Sequence, residues 1–381
     1  MLSGRMVQRG NDLAVTLDLL DVDRQAQLWG GRFNRKMTDL IALQEELASE
    51  IAEKLRLQLS GEEKKKLRKR PTQNNEAFRL LLQARHFMAR LSPEGLSRAV
   101  ELCERVIKID PAYAAAHANL SFAYGVQGFF GYADSAEDML ASTTAAKRAL
   151  ELDDTLAEAH GALAYALLRQ WDFAGAEQEA RRSLELSPDS VFGLLALQTI
   201  RMVQGRFDEG IAAGKRAAEL DPLDGLARYA LGVSHLYAGQ FDQAIEQERK
   251  ALEIDPANPI AHNLLAIAYA FSGQRDKAME MCRGIGGLLL ATVNSILGET
   301  QEARRALEDV TKDWASGGQS AFLIASCYGH LRDNALALQW LEKAFQERAP
   351  ILYVLKITPA FRALHGDPRF DALVKRIGIP D

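Results

Sequence analysis

Five stretches of this chain end in nearly the same phrase, and four of the endings are evenly spaced. The phrases close at Pro111, Asp154, Pro188, Pro222 and Pro256, at intervals of 43, 34, 34 and 34 residues. A fixed period in the low thirties marks an array of supersecondary units, in which each unit contacts its neighbours and none can bury its apolar face alone. Such a chain is built to bind by shape rather than to transform a substrate.

Each unit reads as apolar helix, short turn, second helix, then Asp-Pro or a close variant. Between Pro222 and Pro256 the periodicity predicts helices over 225–238 and 241–254, separated by Gly239-Gln240. A glycine there supplies the left-handed residue that ends a helix, and the closing proline prevents the second helix from continuing. Small residues recur where the two helices must approach: Ala176, Ala244 and Ala278 share one offset, with Gly210 in the intervening unit.

Leu120-Ser121-Phe122-Ala123-Tyr124 and Leu265-Ala266-Ile267-Ala268-Tyr269 carry the first-helix signature of the tetratricopeptide repeat, which the chain resembles over about residues 76–348. Departures occur: His235 stands in a Tyr position, and Glu248 and Gly214 in Phe positions. The resemblance implies an all-α solenoid, a right-handed superhelix of helical hairpins whose first helices line a concave surface. Carried over unit by unit, that surface comprises Phe122; Gly161, Tyr165 and Leu168; Phe192, Leu195 and Met202; Leu226, Tyr229 and Val233; Asn263 and Ile267. The face is poor in charge, which predicts a protein or peptide partner with apolar anchors, while apolar stripes on helices also serve as core, so that about half of these side chains are expected to be buried between repeats. The carboxylate clamp of one subfamily is not supported: Asn119 fits its middle position, but Leu81, Arg85, Glu158 and Ala162 stand where its remaining polar residues should be.

The first sixty residues follow a different rule. Leu13, Val15, Leu17 and Leu19 repeat with a period of two, and strands are expected at about 4–9, 13–22 and 26–33, followed by a helix from Met37 to Leu59. Gln27 to Arg35 and Ile41 to Ala48 resemble the second half of the TolB amino-terminal-like (FlgO-like) domain, found ahead of such arrays in bacterial serine/threonine kinases and adenylate cyclases. The expected organisation is therefore a partial α+β segment at 1–60, a basic linker at 61–75, the array at 76–348 and a capping segment at 349–381. A three-stranded sheet with one helix leaves a face and edges uncovered, which points to self-association through residues 4–33.

Other function classes find little support. The chain has none of the phosphate-binding, zinc-protease, hydrolase or kinase motifs, and no enzyme activity is expected. Three cysteines without paired spacing suggest neither disulfides nor a metal site; no cofactor and no metal is expected. His117, His160 and His262 recur at one position, but as large packing residues too far apart to share an ion. The net charge is −5, and residues after 75 carry most of the acid, which disfavours nucleic acid. The run Lys64–Arg70, offset by Glu62 and Glu63 and without interleaved aromatics, reads as a solvated linker. No apolar run reaches a membrane span, and no signal peptide is recognisable, so a cytoplasmic location is expected. The function expected from all of this is a protein-interaction scaffold in bacterial signalling; the competing reading is the regulatory arm of a kinase or cyclase system, separated from its catalytic half.

Overall fold

The computed structural model describes residues 2–21, 26–36, 39–54, 71–132, 135–312 and 320–380. The basic run Lys64–Arg70, residues 37–38 and 55–59 of the expected first helix, and residues 22–25 lie outside them. The chain divides into two compact units, residues 1–83 with 105–113, and residues 84–104 with 114–381.

In the first unit, strands β1 (Leu2–Arg9), β2 (Asp12–Asp21) and β3 (Ala26–Lys36) form an antiparallel sheet in the order β1-β2-β3. The period-two pattern of β2 sends Leu13 and Val15 to one face, where they pack with Phe33 and with Leu43 of helix α1 (Leu40–Lys54). Gly10, with φ of 61°, closes the β1–β2 hairpin.

Helices α2 (Asn75–Met88) and α3 (Pro93–Ile109) follow. The Ser92 hydroxyl accepts a hydrogen bond from the Gly95 amide at 3.0 Å, so Ser92 caps α3 with Pro93 as its first residue.

The second unit continues through seven helical hairpins among the described residues: α4 (Ala114–Phe129) with α5 (Ser135–Leu152), α6 (Ala157–Arg169) with α7 (Phe173–Leu186), α8 (Val191–Val203) with α9 (Phe207–Leu220), α10 (Gly225–Tyr237) with α11 (Phe241–Ile254), α12 (Pro259–Phe271) with α13 (Arg275–Met281), α14 (Gly287–Leu297) with α15 (Thr300–Lys312), and α16 (Ser320–His330) with α17 (Asn334–Gln346). Turn chemistry explains the boundaries. Gly205, Gly239 and Gly273 adopt φ of 70°, 76° and 74° between paired helices. Asp224 and Asn258 cap α10 and α12 by accepting amide hydrogen bonds from Leu226 and Ile260 at 2.8 and 3.0 Å.

First helices neighbour first helices along the array, α4 to α6 to α8 and onward to α16, while the second helices form the other layer. Ala176, Ala244 and Ala278 are fully buried at the crossings, as their recurring offset predicts. Gly161 shows how close one approach is: a Cβ there would lie 2.7 Å from that of Phe192 on α8. The path also curls back on itself. A Cβ at Gly225, the first residue of α10, would run into the carbonyl oxygen of Ala89, just after α2.

After α17 the chain enters two 3-10 segments, Pro350–Ile357 and Pro359–Leu364, and then helix α18 (Pro368–Ile377). Asp367 caps α18 through the Arg369 amide at 2.9 Å, with Pro368 at the first helical position. Phe370, Leu373 and Ile377 of α18 join the cluster that holds Leu338 and Leu341 of α17, covering the last hairpin. The first 3-10 segment does something else, and that defines the candidate site.

Candidate partner-binding surface

The segment Pro350–Ile357 does not stay at the end of the solenoid. It lies against α4, α6 and α8, on the face formed by the first helices. Leu352, Tyr353, Val354 and Leu355 are buried in one cluster with Phe129 of α4, Val203 of α8 and Phe322 of α16. The rings of Phe129 and Tyr353 stack at 6.2 Å between centroids, inclined by 19°. A 3-10 stretch suits this position because its side chains project on all sides, so an eight-residue segment can be surrounded by helices.

Around this segment the inner face is aromatic. Phe130 meets Tyr229 edge-on at 5.4 Å and stacks on Tyr132 at 5.8 Å. Phe122 stacks on Phe192 at 3.9 Å and contacts Tyr165 at 5.0 Å. Phe192 belongs to α8 and Tyr165 to α6, so these rings bond successive repeats to one another.

The residues carried over from the sequence divide by burial. Phe122, Tyr165, Leu168, Leu195 and Met202 are buried, as are Gly161 and Leu226, and they serve as core between repeats. Phe192, Tyr229, Val233, Asn263 and Ile267 are partly buried. Tyr165, Leu195, Met202, Tyr229, Val233, Asn263 and Ile267 converge on a cavity of about 240 Å³, closed on one side by Ile351, Tyr353 and Val354. Phe122, Leu168 and Phe192 do not line it. Phe122 and Phe192 instead border a second crevice with Arg85 and Asn119.

That crevice shows why a clamp for a terminal carboxylate does not form. Asn119 is fully buried, accepting from Arg85 Nε at 3.1 Å and donating to the Ala115 carbonyl at 2.8 Å. Arg85 also lies 3.6 Å from Glu158. Both groups are engaged by the protein itself.

The histidines at the repeated position are structural. His160 Nδ1 pairs with Glu179 at 2.6 Å and Nε2 with the Asp154 carbonyl at 3.0 Å; the hydrogen bond to Glu179 holds its pKa above the ordinary value. His262 Nε2 meets the Pro256 carbonyl at 2.9 Å. No group of three or more metal-ligating side chains is present among the described residues, and no described helix is long and apolar enough to cross a membrane.

Several residues of the inner face were not singled out in the sequence. Arg169, at the end of α6, is 4% exposed, and its Nε and Nη1 have no hydrogen-bond partner among the described residues. Its guanidinium lies 5.4 Å from the Phe129 ring centre, a cation–π contact in a desolvated place. Burial lowers its pKa, while Tyr165 and Tyr353 beside it oppose that shift. Burial pushes the Tyr237 phenol up to about 12 and raises those of Tyr165, Tyr229 and Tyr353, so all four stay neutral. His330, at the end of α16, is pushed down to about 4 by burial and is a neutral imidazole at pH 7. The signal for the inserted segment was the run Ile351 to Ile357, more apolar than a polar-backed cap requires.

These features define a class, a helical-hairpin solenoid whose inner face is apolar, aromatic and occupied in part by the chain's own segment. The chain carries tetratricopeptide repeats: that family matches at residues 199–259 and 297–350, and a second description of the same repeat matches at 235–286. The solved structure of an IFIT1 monomeric mutant with m7Gppp-AAAA superposes with a TM-score of 0.52 at 16% identity, covering 87% of this chain and 75% of that one. PilF of Pseudomonas aeruginosa is similar at 20% identity and a TM-score of 0.40, over 53% of this chain and 92% of that chain. In sequence, a Rhizobium meliloti (strain 1021) protein named "Putative adenylate cyclase 3" is 29% identical over 169 residues, 44% of this chain and 29% of that protein. The match therefore spans under a third of the relative's length.

Proposed function

We propose that the repeat array is a protein-interaction scaffold whose inner face receives an extended apolar segment of a partner. The observation that supports this reading is Pro350–Ile357: an eight-residue apolar segment already lies on α4, α6 and α8, so the face has the shape and polarity to hold one. Val233, Asn263 and Ile267, on α10 and α12, extend the same surface past that segment and are only partly buried. Tyr229 and Phe192 are the aromatic anchors at its border, and Phe122, Tyr165, Leu168, Leu195 and Met202 support it from the core. Apolar burial supplies affinity and the near absence of charge selects against acidic or basic segments.

The process served is bacterial signal transduction. The resemblance to an adenylate cyclase supports this, as does the partial α+β segment before the array. The same similarity favours a second reading, in which the chain is the regulatory arm of a cyclase or kinase. Adding the purified chain to the catalytic domain of such a cyclase and finding its rate unchanged would remove that second reading.

The scaffold reading is tested by placing a photo-crosslinking residue at Val233 or Ile267, and at Glu246 as a control on the outer layer. A partner protein crosslinked from the first two sites and not from the third supports it. Crosslinks confined to the outer layer overturn it.

A further inference from the structure

The cavity of about 240 Å³ beneath the 3-10 segment has a lining unlike an ordinary packing defect. Its walls come from α4, α6, α8, α10, α12, α14 and α16 and are mostly carbon, and among the described residues none of the lining side chains is Asp, Glu, Lys or Arg. Set into that wall are polar groups that the protein leaves unused. The hydroxyls of Tyr229, Tyr353 and Ser326, the amide of Asn263 and the imidazole of His330 make no hydrogen bond to protein among the described residues. Tyr353 and Ser326 are each only 8% exposed.

The contrast with their neighbours is informative. Gln198 donates to Ser234 at 2.7 Å, Thr292 to the Leu288 carbonyl at 2.8 Å and Thr358 to the Val354 carbonyl at 2.8 Å, so these three polar groups of the wall are satisfied internally. Buried polar groups normally find partners, because leaving one unpaired costs the desolvation of that group. Five such groups face one space and remain free to bond whatever occupies it.

We infer that this cavity is a binding site for an uncharged, largely apolar small molecule bearing one or two hydroxyl or carbonyl groups. A charged group would find no counter-ion among the lining residues, because Arg169, the buried cation beside Tyr165 and Tyr353, does not line the space. An apolar cavity of about 150 Å³ holds benzene, so this one accommodates a molecule of about ten non-hydrogen atoms. The site shares Val233, Asn263 and Ile267 with the surface proposed for a partner, but its test uses no partner. Because Ile351, Tyr353 and Val354 form one wall, an occupant would contact the inserted segment directly and favour its docked position.

Two isosteric probes test this on the intact chain: neutral 4-hydroxyacetophenone and anionic 4-hydroxybenzoate, with toluene as an apolar reference. Saturation-transfer NMR titrations are run on wild type and on Val233→Phe, which fills the cavity, with circular dichroism as the check of folding. The neutral probe should bind at millimolar concentration or below, at least about tenfold tighter than the anion, and lose that binding in Val233→Phe. Ser326→Ala, which preserves the volume, should weaken 4-hydroxyacetophenone about fivefold and leave toluene unchanged, so the test stands even if the larger substitution fails to fold. Equal affinity for both isosteres, or binding indifferent to both substitutions, would reduce the effect to surface adsorption. Failure of every neutral probe to bind would mean that water alone satisfies the five groups, and the proposal falls.

Discussion

Glu248 stands where the repeat pattern has Phe, and the structure turns that departure into a measurable property. Its side chain is fully buried on α11, with both carboxyl oxygens lacking partners, and Oε1 fills the space that a Cβ at Gly232 on α10 would take. Desolvation raises its pKa well above the ordinary carboxylate value, so the folded chain holds it protonated where the unfolded chain ionises it. For a group raised in the folded state, the favourable contribution is complete below the unfolded pKa and is lost as pH climbs toward the folded one. Within that window stability falls by up to about 1.4 kcal/mol per pH unit. With an unfolding entropy of about 2.1 cal/mol/K per residue, a unit of this size loses up to about 2 °C in Tm per pH unit. Glu248→Gln keeps the shape and removes the titration. Thermal melts followed by circular dichroism at pH 5, 6 and 7 should therefore show wild type falling relative to Glu248→Gln by about 2 °C per pH unit. Asp224, raised to about 6 by burial, titrates identically in both proteins and cancels in the difference. Parallel profiles would show that water reaches Glu248 and that the desolvation argument is wrong.

Three further outcomes are expected. Ala244→Leu, at a fully buried crossing of α11, should cost about 1–3 kcal/mol in a denaturant melt by overpacking, and an unchanged midpoint would mean that the hairpins are out of register. Glu177 is held down to about 2 by Arg181 and by buried Arg201, so its contribution is present above the unfolded pKa and lost as pH falls through the folded one; Glu177→Gln should cost about 2 kcal/mol at pH 7, with the wild-type and variant melts drawing together below about pH 4 and meeting only below about pH 2. In the first unit, Met6 and Leu28 are exposed on β1 and β3, the two edge strands of the described sheet. Sedimentation velocity at rising concentration should show self-association that Met6→Lys with Leu28→Lys weakens; a concentration-independent monomer in wild type would remove the sheet as its cause.

How much was legible depended on how local the cause was. The turn at Gly239 and the proline that closes each unit act within a few residues of themselves, and the helical hairpin they predict over 225–254 is present. The alternation of β2 was equally plain, because a period of two fixes which face Leu13 and Val15 take. Within the candidate surface the sequence placed Tyr165, Tyr229, Val233 and Ile267 on first helices, but helical periodicity cannot distinguish a stripe that faces the next repeat from one that faces the interior. Phe122 and Leu168 took the first role, Val233 and Ile267 the second. Arg169 and His330 escaped notice because a single polar residue at a helix end looks like a solvated one.

The sequence by itself determined the repeating unit and the turn at Gly239 between its helices, since proline breaks and small-residue crossings are short-range and additive along the chain. Only the tertiary structure decided where Pro350–Ile357 goes. An apolar run after the last hairpin can cover that hairpin or enter the solenoid. The choice depends on the curl that brings Ala89 against Gly225 and leaves α4, α6 and α8 presenting Phe129 and Val203 to a segment more than a hundred residues away in sequence. That curl is the sum of small rotations over many repeats, so no local pattern encodes it, and the aromatic cavity it encloses exists only once the sum is complete.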